Sequence, residues 1–425
     1  MSESEDAQGS EFIPSPEFLA RQKRVMDAIQ LKQPDQIPLI LGMGYKLAEM
    51  GGITKQALYD NPDQAQELLE QAAALYQPDM IFGAWHTPEP SKALGDRMTK
   101  WPGYGLDANG SFQFNEQEFM KADDYDDFLE DPSDWAVRVY LPRAFRELEG
   151  LAMLPPFGMS LFGYYNVVQN YATLTLPPVV SALQAMSQAA QAQAEWLGQI
   201  IASNQRMAEL GFPPMPFLAV FIEAPFDFMS DTLRGMRGIF LDMMRQPDKL
   251  LAAQEKVLRI QLKFAIAATR AIGSPYVFIP LHRGSDGFMS LKQFEKFYWP
   301  QLKEMMLQLI EAGITPWAYY EGVWDQRLPY LAELPPGKTM GSFQDSDIFK
   351  VKEIVGDTMC IMGGMPIPLL VGGTPEQVRE HTQKVCQVVG KDGGFIMTSS
   401  VLELEGCNPE LIKVWVEATQ EYGAY

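Results

Sequence analysis

Thiols, histidines and basic side chains are all scarce in this 425-residue chain. Its three cysteines, Cys360, Cys386 and Cys407, form no Cys-x-x-Cys pair. That argues against a disulfide framework and a thiol-rich metal centre, and makes a reducing cytoplasm the simplest compartment. Lys and Arg number 34 against 54 Asp and Glu, a net charge of −20. Such a balance argues against nucleic-acid binding and against docking on an anionic membrane. No apolar run reaches the roughly 18 residues of a membrane span. The acidic opening Met1-Ser-Glu-Ser-Glu-Asp lacks the basic-then-apolar order of a secretory signal. HExxH, GxSxG, P-loop and GxGxxG motifs are missing, so peptidase, hydrolase, ATPase and dinucleotide-binding readings lose support.

What is present is a regular alternation. Short apolar runs at 37–42, 79–83, 216–222, 276–280, 314–320, 338–343, 359–363 and 394–398 are each bounded by turn residues and followed by helical periodicity. Thr374-Pro-Glu and Asn408-Pro-Glu are helix-start signals, an N-cap followed by proline at the first helical position. Near-continuous apolar strands alternating with helices predict a parallel sheet, and eight such units predict a closed (β/α)₈ TIM barrel of the α/β class. Residues 1–15 read as a disordered acidic leader, and residues 16–425 as a single barrel domain. Residues 84–180, rich in Pro, Gly, Tyr and acidic side chains, read as an insertion between the second and third strands that covers the barrel mouth. The methionines near strand ends (Met43, Met80, Met340, Met362, Met365, Met397) suit the filling of an irregular core, and methionine also lines pockets for large ligands. Met43, Met365 and Ser399 are the candidate cofactor contacts.

In a barrel of this kind the active site lies at the carboxyl ends of the strands. Those ends carry Glu223, His282-Arg283 and Glu321 directly after apolar runs. One histidine and two carboxylates from three successive strands suit a Zn²⁺-like ion with Glu223, His282 and Glu321 as ligands. They equally suit acid–base catalysis beside Arg283. Asp227 and Asp231 read as caps of the following helix, and Asp286 and Ser290 as turn-fixing residues.

Several segments together resemble the uroporphyrinogen decarboxylase superfamily. They are Glu223-Ala-Pro-Phe-Asp227 with Leu-Arg-Gly235, Asp242-Met-Met-Arg-Gln-Pro-Asp-Lys249, Leu281-His-Arg-Gly-Ser-Asp286 and Phe297-Tyr-Trp-Pro300. Gly390-Lys-Asp-Gly-Gly-Phe-Ile396, Arg21-Gln-Lys-Arg24 and Pro34-Asp-Gln-Ile-Pro38 fit as well. The resemblance implies the (β/α)₈ fold and two chemical classes. Decarboxylases of the superfamily bind a polycarboxylate tetrapyrrole through arginines after the first strand, where this chain reads Leu41-Gly-Met-Gly-Tyr-Lys46 with no arginine. The zinc-dependent methyltransferases work with corrinoid proteins and hold zinc by His-x-Cys after the fifth strand and a cysteine after the eighth. Here the fifth strand ends Tyr319-Tyr320-Glu321-Gly322, and Cys407 lies beyond the eighth. An oxygen and imidazole ligand set is harder and more Lewis-acidic, and suits an ether oxygen better than a thiol. The expectation is therefore a methyltransferase-like enzyme moving a methyl group between a small methylated substrate, such as a methoxylated aromatic, and a corrinoid. The DxHxxG cobalamin signature is missing, so the corrinoid would sit on a separate partner protein. Two alternatives stay open: a cofactor-free decarboxylase of a tetrapyrrole or smaller acid, and a non-catalytic corrinoid- or tetrapyrrole-binding barrel.

Overall fold

The computed structural model describes residues 12–84, 86–215 and 220–425. Seven of the eight expected strands form, as β1 (Ile40–Gly42), β2 (Met80–Phe82), β6 (Tyr276–Leu281), β7 (Thr315–Tyr320), β8 (Thr339–Phe343), β9 (Met359–Met365) and β10 (Phe395–Ser399). The numbers between belong to β3 (Thr99–Pro102), β4 (Gly105–Leu106) and β5 (Gln113–Phe114), a small separate sheet. Most of the expected third strand, 216–219, lies outside the described residues, as do residues 1–11 of the expected leader. Its end is seen: the Ile222 amide donates to the Phe278 carbonyl (3.1 Å), and the Phe278 amide donates to the Val220 carbonyl (2.8 Å).

All pairings around the main sheet are parallel. β6 through β10 run in sequence order, β10 meets the chain just before β1 at Leu39 and Met397, and β1 pairs with β2. The arc is therefore β2-β1-β10-β9-β8-β7-β6 followed by 220–222. Among the described residues no pairing joins β2 to 220–222, so the expected closure is not seen. Helices follow the strands as periodicity predicts, including Ile348–Val355, Pro375–Val388 and Pro409–Tyr422. Thr374 and Asn408 cap the last two by accepting the Gln377 and Glu410 amides.

Strand alternation sorts the side chains into two layers. Tyr276, Phe278, Trp317, Tyr319, Met340, Cys360, Met362 and Ile396 fill one face, packed against Val25, Ala28 and Ile29 of the first helix, Pro16–Ile29. The opposite parity, including Val277, Ile279, Ala318 and Tyr320, packs against the surrounding helices in the main core. Met43 and Met365 belong to that main core and are fully buried. All six strand-end methionines are buried, as a gap-filling role requires. No helix among the described residues is long and apolar enough to cross a membrane.

Candidate functional site

The register of β6 against β7 positions the centre of the site. Leu281 lies opposite Tyr320, and the Glu321 amide donates to the Leu281 carbonyl (3.1 Å). The next residues, His282 and Glu321, therefore emerge side by side. Both share the parity of Phe278 and Trp317, so they stand over the filled interior of the sheet. His282 Nε2 lies 3.2 Å from Glu321 Oε1, and the two side chains are 29% and 40% exposed. A substrate can reach both.

Behind them the support is buried. His282 Nδ1 lies 2.5 Å from Asp231 Oδ2. Asp227 accepts the backbone amides of His282 (3.0 Å) and Arg283 (2.9 Å) and the Tyr298 hydroxyl (2.5 Å). The aspartate pair thus fixes both the turn after β6 and the imidazole ring. Arg283 donates to Asp231 Oδ1 (2.8 Å), Ser230 Oγ (3.1 Å) and Glu116 Oε2 (2.5 Å). Its charge is thus paired with two carboxylates.

Glu223 sits at the end of the third strand segment. Gln261 clamps its backbone by accepting from its amide (2.7 Å) and donating to its carbonyl (2.9 Å), while Thr232 donates to its carboxylate at 3.3 Å. Burial, with the charges of Asp231 and Asp227, pushes the Glu223 carboxyl up to about 7. Burial and the Asp231 charge likewise push Asp227 up to about 6. Asp231 moves the other way: burial opposes its charge, but the His282 and Arg283 contacts outweigh burial and hold it below the usual carboxylate range. For His282, burial disfavours the imidazolium, yet hydrogen bonds with Asp231 and Glu321 overcome it and raise the ring to about 11. Neighbouring groups are thus driven in opposite directions, the separation expected of an acid–base site.

The three predicted metal ligands do not form a cation site in this arrangement. His282 and Glu321 meet, but Asp231 holds the other ring nitrogen and Glu223 turns to Thr232. Among the described residues no three His, Cys, Asp or Glu side chains gather to hold an ion. Nor is a thiolate at hand, since burial pushes Cys386 up to about 12 and Cys407 up to about 11. Of the candidate cofactor contacts, Met43 and Met365 are core side chains and Ser399 donates to the Val401 carbonyl (2.6 Å). All three have packing or turn roles here.

Sequence reasoning missed the site roles of Asp227, Asp231, Tyr298 and Glu116. The two aspartates read as helix caps, yet both bind the turn after β6. The available signal was spacing: Glu223, Asp227 and Asp231 recur every four residues in an otherwise apolar stretch, one face of a helical turn. Ser290 does cap its helix, accepting the Gln293 amide. Asp286 fixes a loop by accepting the Gln326 amide (3.0 Å) and pairing with Arg327 (3.2 Å). A cleft of about 520 Å³ lined by Glu116, Glu118, Arg234 and Arg237 lies beside this cluster and touches it only through Glu116.

A TIM-barrel-like α/β scaffold with its polar cluster at the strand ends defines the class of protein. The chain belongs to the uroporphyrinogen decarboxylase (URO-D) family, which it matches over residues 168–422. A methyltransferase from Methanosarcina mazei is similar in structure, with a TM-score of 0.61 over 95% of this chain and 98% of that one. At 14% identity the likeness is one of fold. No curated protein matches the chain in sequence.

Proposed function

We propose that this chain is a methyltransferase-like enzyme of the URO-D superfamily that demethylates a small, uncharged methyl ether, such as a methoxylated aromatic. The observation that carries this reading is the His282 ring held between buried Asp231 and accessible Glu321, contacts that favour its protonated form. Breaking an O–CH₃ bond leaves the electron pair on oxygen, which then needs a proton. A substrate oxygen that takes Glu321's place at Nε2 receives that hydrogen bond directly. The exchange also removes one of the two supports of the imidazolium, which loosens its hold on the proton. A reduced corrinoid on a separate protein would supply the electron pair that accepts the methyl group. Asp227 and Asp231 hold the ring in place, and the accessible Glu321 relays a replacement proton from solvent.

The methyltransferase similarity in fold supports the reading, and so does the charge of the site. Glu116, Glu223, Asp227, Asp231 and Glu321 surround His282 and Arg283, an environment that repels a polycarboxylate. The test is direct. Purified protein is incubated with free cob(I)alamin and a panel of methoxylated aromatics, and methylcobalamin is followed by absorbance. Transfer that falls on the order of 100-fold in His282→Asn supports the reading. No transfer across the panel, with CO₂ released from a tetrapyrrole polyacid instead, sinks it.

A further inference from the structure

Residues 151–205 hold a single charged side chain, Glu195, in a chain of net charge −20 with 21% charged residues. The same tract carries 14 of the 31 large hydrophobic side chains that stand exposed among the described residues. Its first part, from Phe157–Phe162 through Tyr164–Tyr171, contains no buried residue. Leu161 is 88% exposed and Tyr165 80%. Its second part is the 33-residue helix Pro177–Glu209, which is held at its two ends. Val179, Ala182 and Ala185 pack on Leu148, Leu151 and Leu154 at one end. At the other, Met207 enters the main core, Ser203 donates to Gln66 (2.5 Å) and Arg206 pairs with Glu70 (2.7 Å). Between them, from 190 to 202, no residue is buried, and Leu197 and Ile201 face solvent. Water-exposed apolar surface on this scale marks an interaction site.

We infer that this tract is a self-association surface, covered by a second copy of the same chain. Two copies that each carry −20 repel wherever acidic groups face one another, and this is the long stretch where they do not. A helix lying on a membrane carries Lys and Arg on its polar face, and residues 151–205 contain neither. A strongly charged partner would find no complementary charge to pair with. The area is of the right order: five exposed aromatics at roughly half of the 150–250 Å² each can bury, with nine exposed aliphatic side chains beside them, approach the about 800 Å² per partner of a standard interface.

The test is the solution mass of the full chain at tens of micromolar, by light scattering after size exclusion and by sedimentation. Wild type is expected at twice 47.7 kDa. Leu197→Glu with Ile201→Glu, and separately Phe162→Glu with Tyr165→Glu, should weaken dimerisation on the order of 100-fold or more by placing like charges face to face. These side chains are exposed, so circular dichroism and the melting temperature of the variants as monomers should show an intact fold. A monomeric wild type overturns the inference, as does a dimer that survives in both double variants. Flotation of a monomeric wild type with phosphatidylcholine vesicles would overturn it in favour of a lipid surface.

Discussion

Replacing Glu223 by glutamine isolates the energetic consequence of burying a carboxyl in this cluster. Burial, with Asp231 and Asp227 nearby, lifts the group from 4.5 to about 7. Between those values the unfolded chain has released the proton while the folded chain retains it. Stability therefore falls as the pH rises through that window and levels off above it. At about 1.36 kcal/mol for each pH unit, full ionisation costs about 3 kcal/mol, an upper figure because the side chain retains some solvent access. Glutamine is nearly isosteric, can still accept from Thr232, and leaves the Gln261 clamp on the backbone unchanged. Urea denaturation of wild type and Glu223→Gln at pH 5, 6, 7 and 8 measures the difference. The variant should gain on wild type with rising pH, by up to about 2.5 kcal/mol between pH 5 and 8. A difference that stays constant across the series would refute the reasoning, because it would mean that Glu223 titrates alike in both states.

Three further outcomes follow from the same geometry. Glu321→Gln removes one support of the His282 imidazolium and should lower its pKa by on the order of one unit. NMR titration can follow it, since the chain has only three histidines; an unmoved His282 would contradict the 3.2 Å contact. Asp227→Asn leaves one of two partly buried backbone amides facing a donor and should destabilise the fold by about 1–2 kcal/mol, measured by urea denaturation. Gly284→Ala places a methyl 2.3 Å from Trp324 and 2.6 Å from Tyr298. Overpacking there should cost about 1–3 kcal/mol and change the near-ultraviolet circular dichroism, while an unchanged melting curve would show that the turn relaxes freely.

The strands from β6 onward were legible because each is a short apolar run ending at a turn, and helices with strong caps follow several of them. His282, Arg283 and Glu321 were legible for a related reason: a polar residue directly after a buried strand has one place to go. Their partners were harder to read. Asp227 and Asp231 occupy positions where local chemistry favours a helix cap, and only the β6 turn, some 50 residues later, shows what they bind. Glu116 comes from the segment between β2 and residues 220–222, whose contacts no periodicity predicts. The helix Pro177–Glu209 begins inside that expected segment and leads on toward residues 220–222. Met43 and Met365 illustrate the converse problem. Strand-end position suggested a ligand contact, but strand parity turns both toward the helices.

Charge connects these details to the choice of substrate. Five carboxyl groups surround one imidazole and one guanidinium, and Arg283 is held by two of the five. Raising Glu223 to about 7 and Asp227 to about 6 lets the cluster shed part of that negative charge near neutral pH by keeping protons. An added carboxylate would bring a further negative charge to the same cluster, which could take it in only by binding more protons. A neutral ligand leaves the balance intact and can take over the Nε2 hydrogen bond. The carboxylates that raise the His282 imidazole therefore disfavour several further negative charges beside them. On the proposed function, this is the reason to expect an uncharged methyl ether as substrate in place of a polyacid.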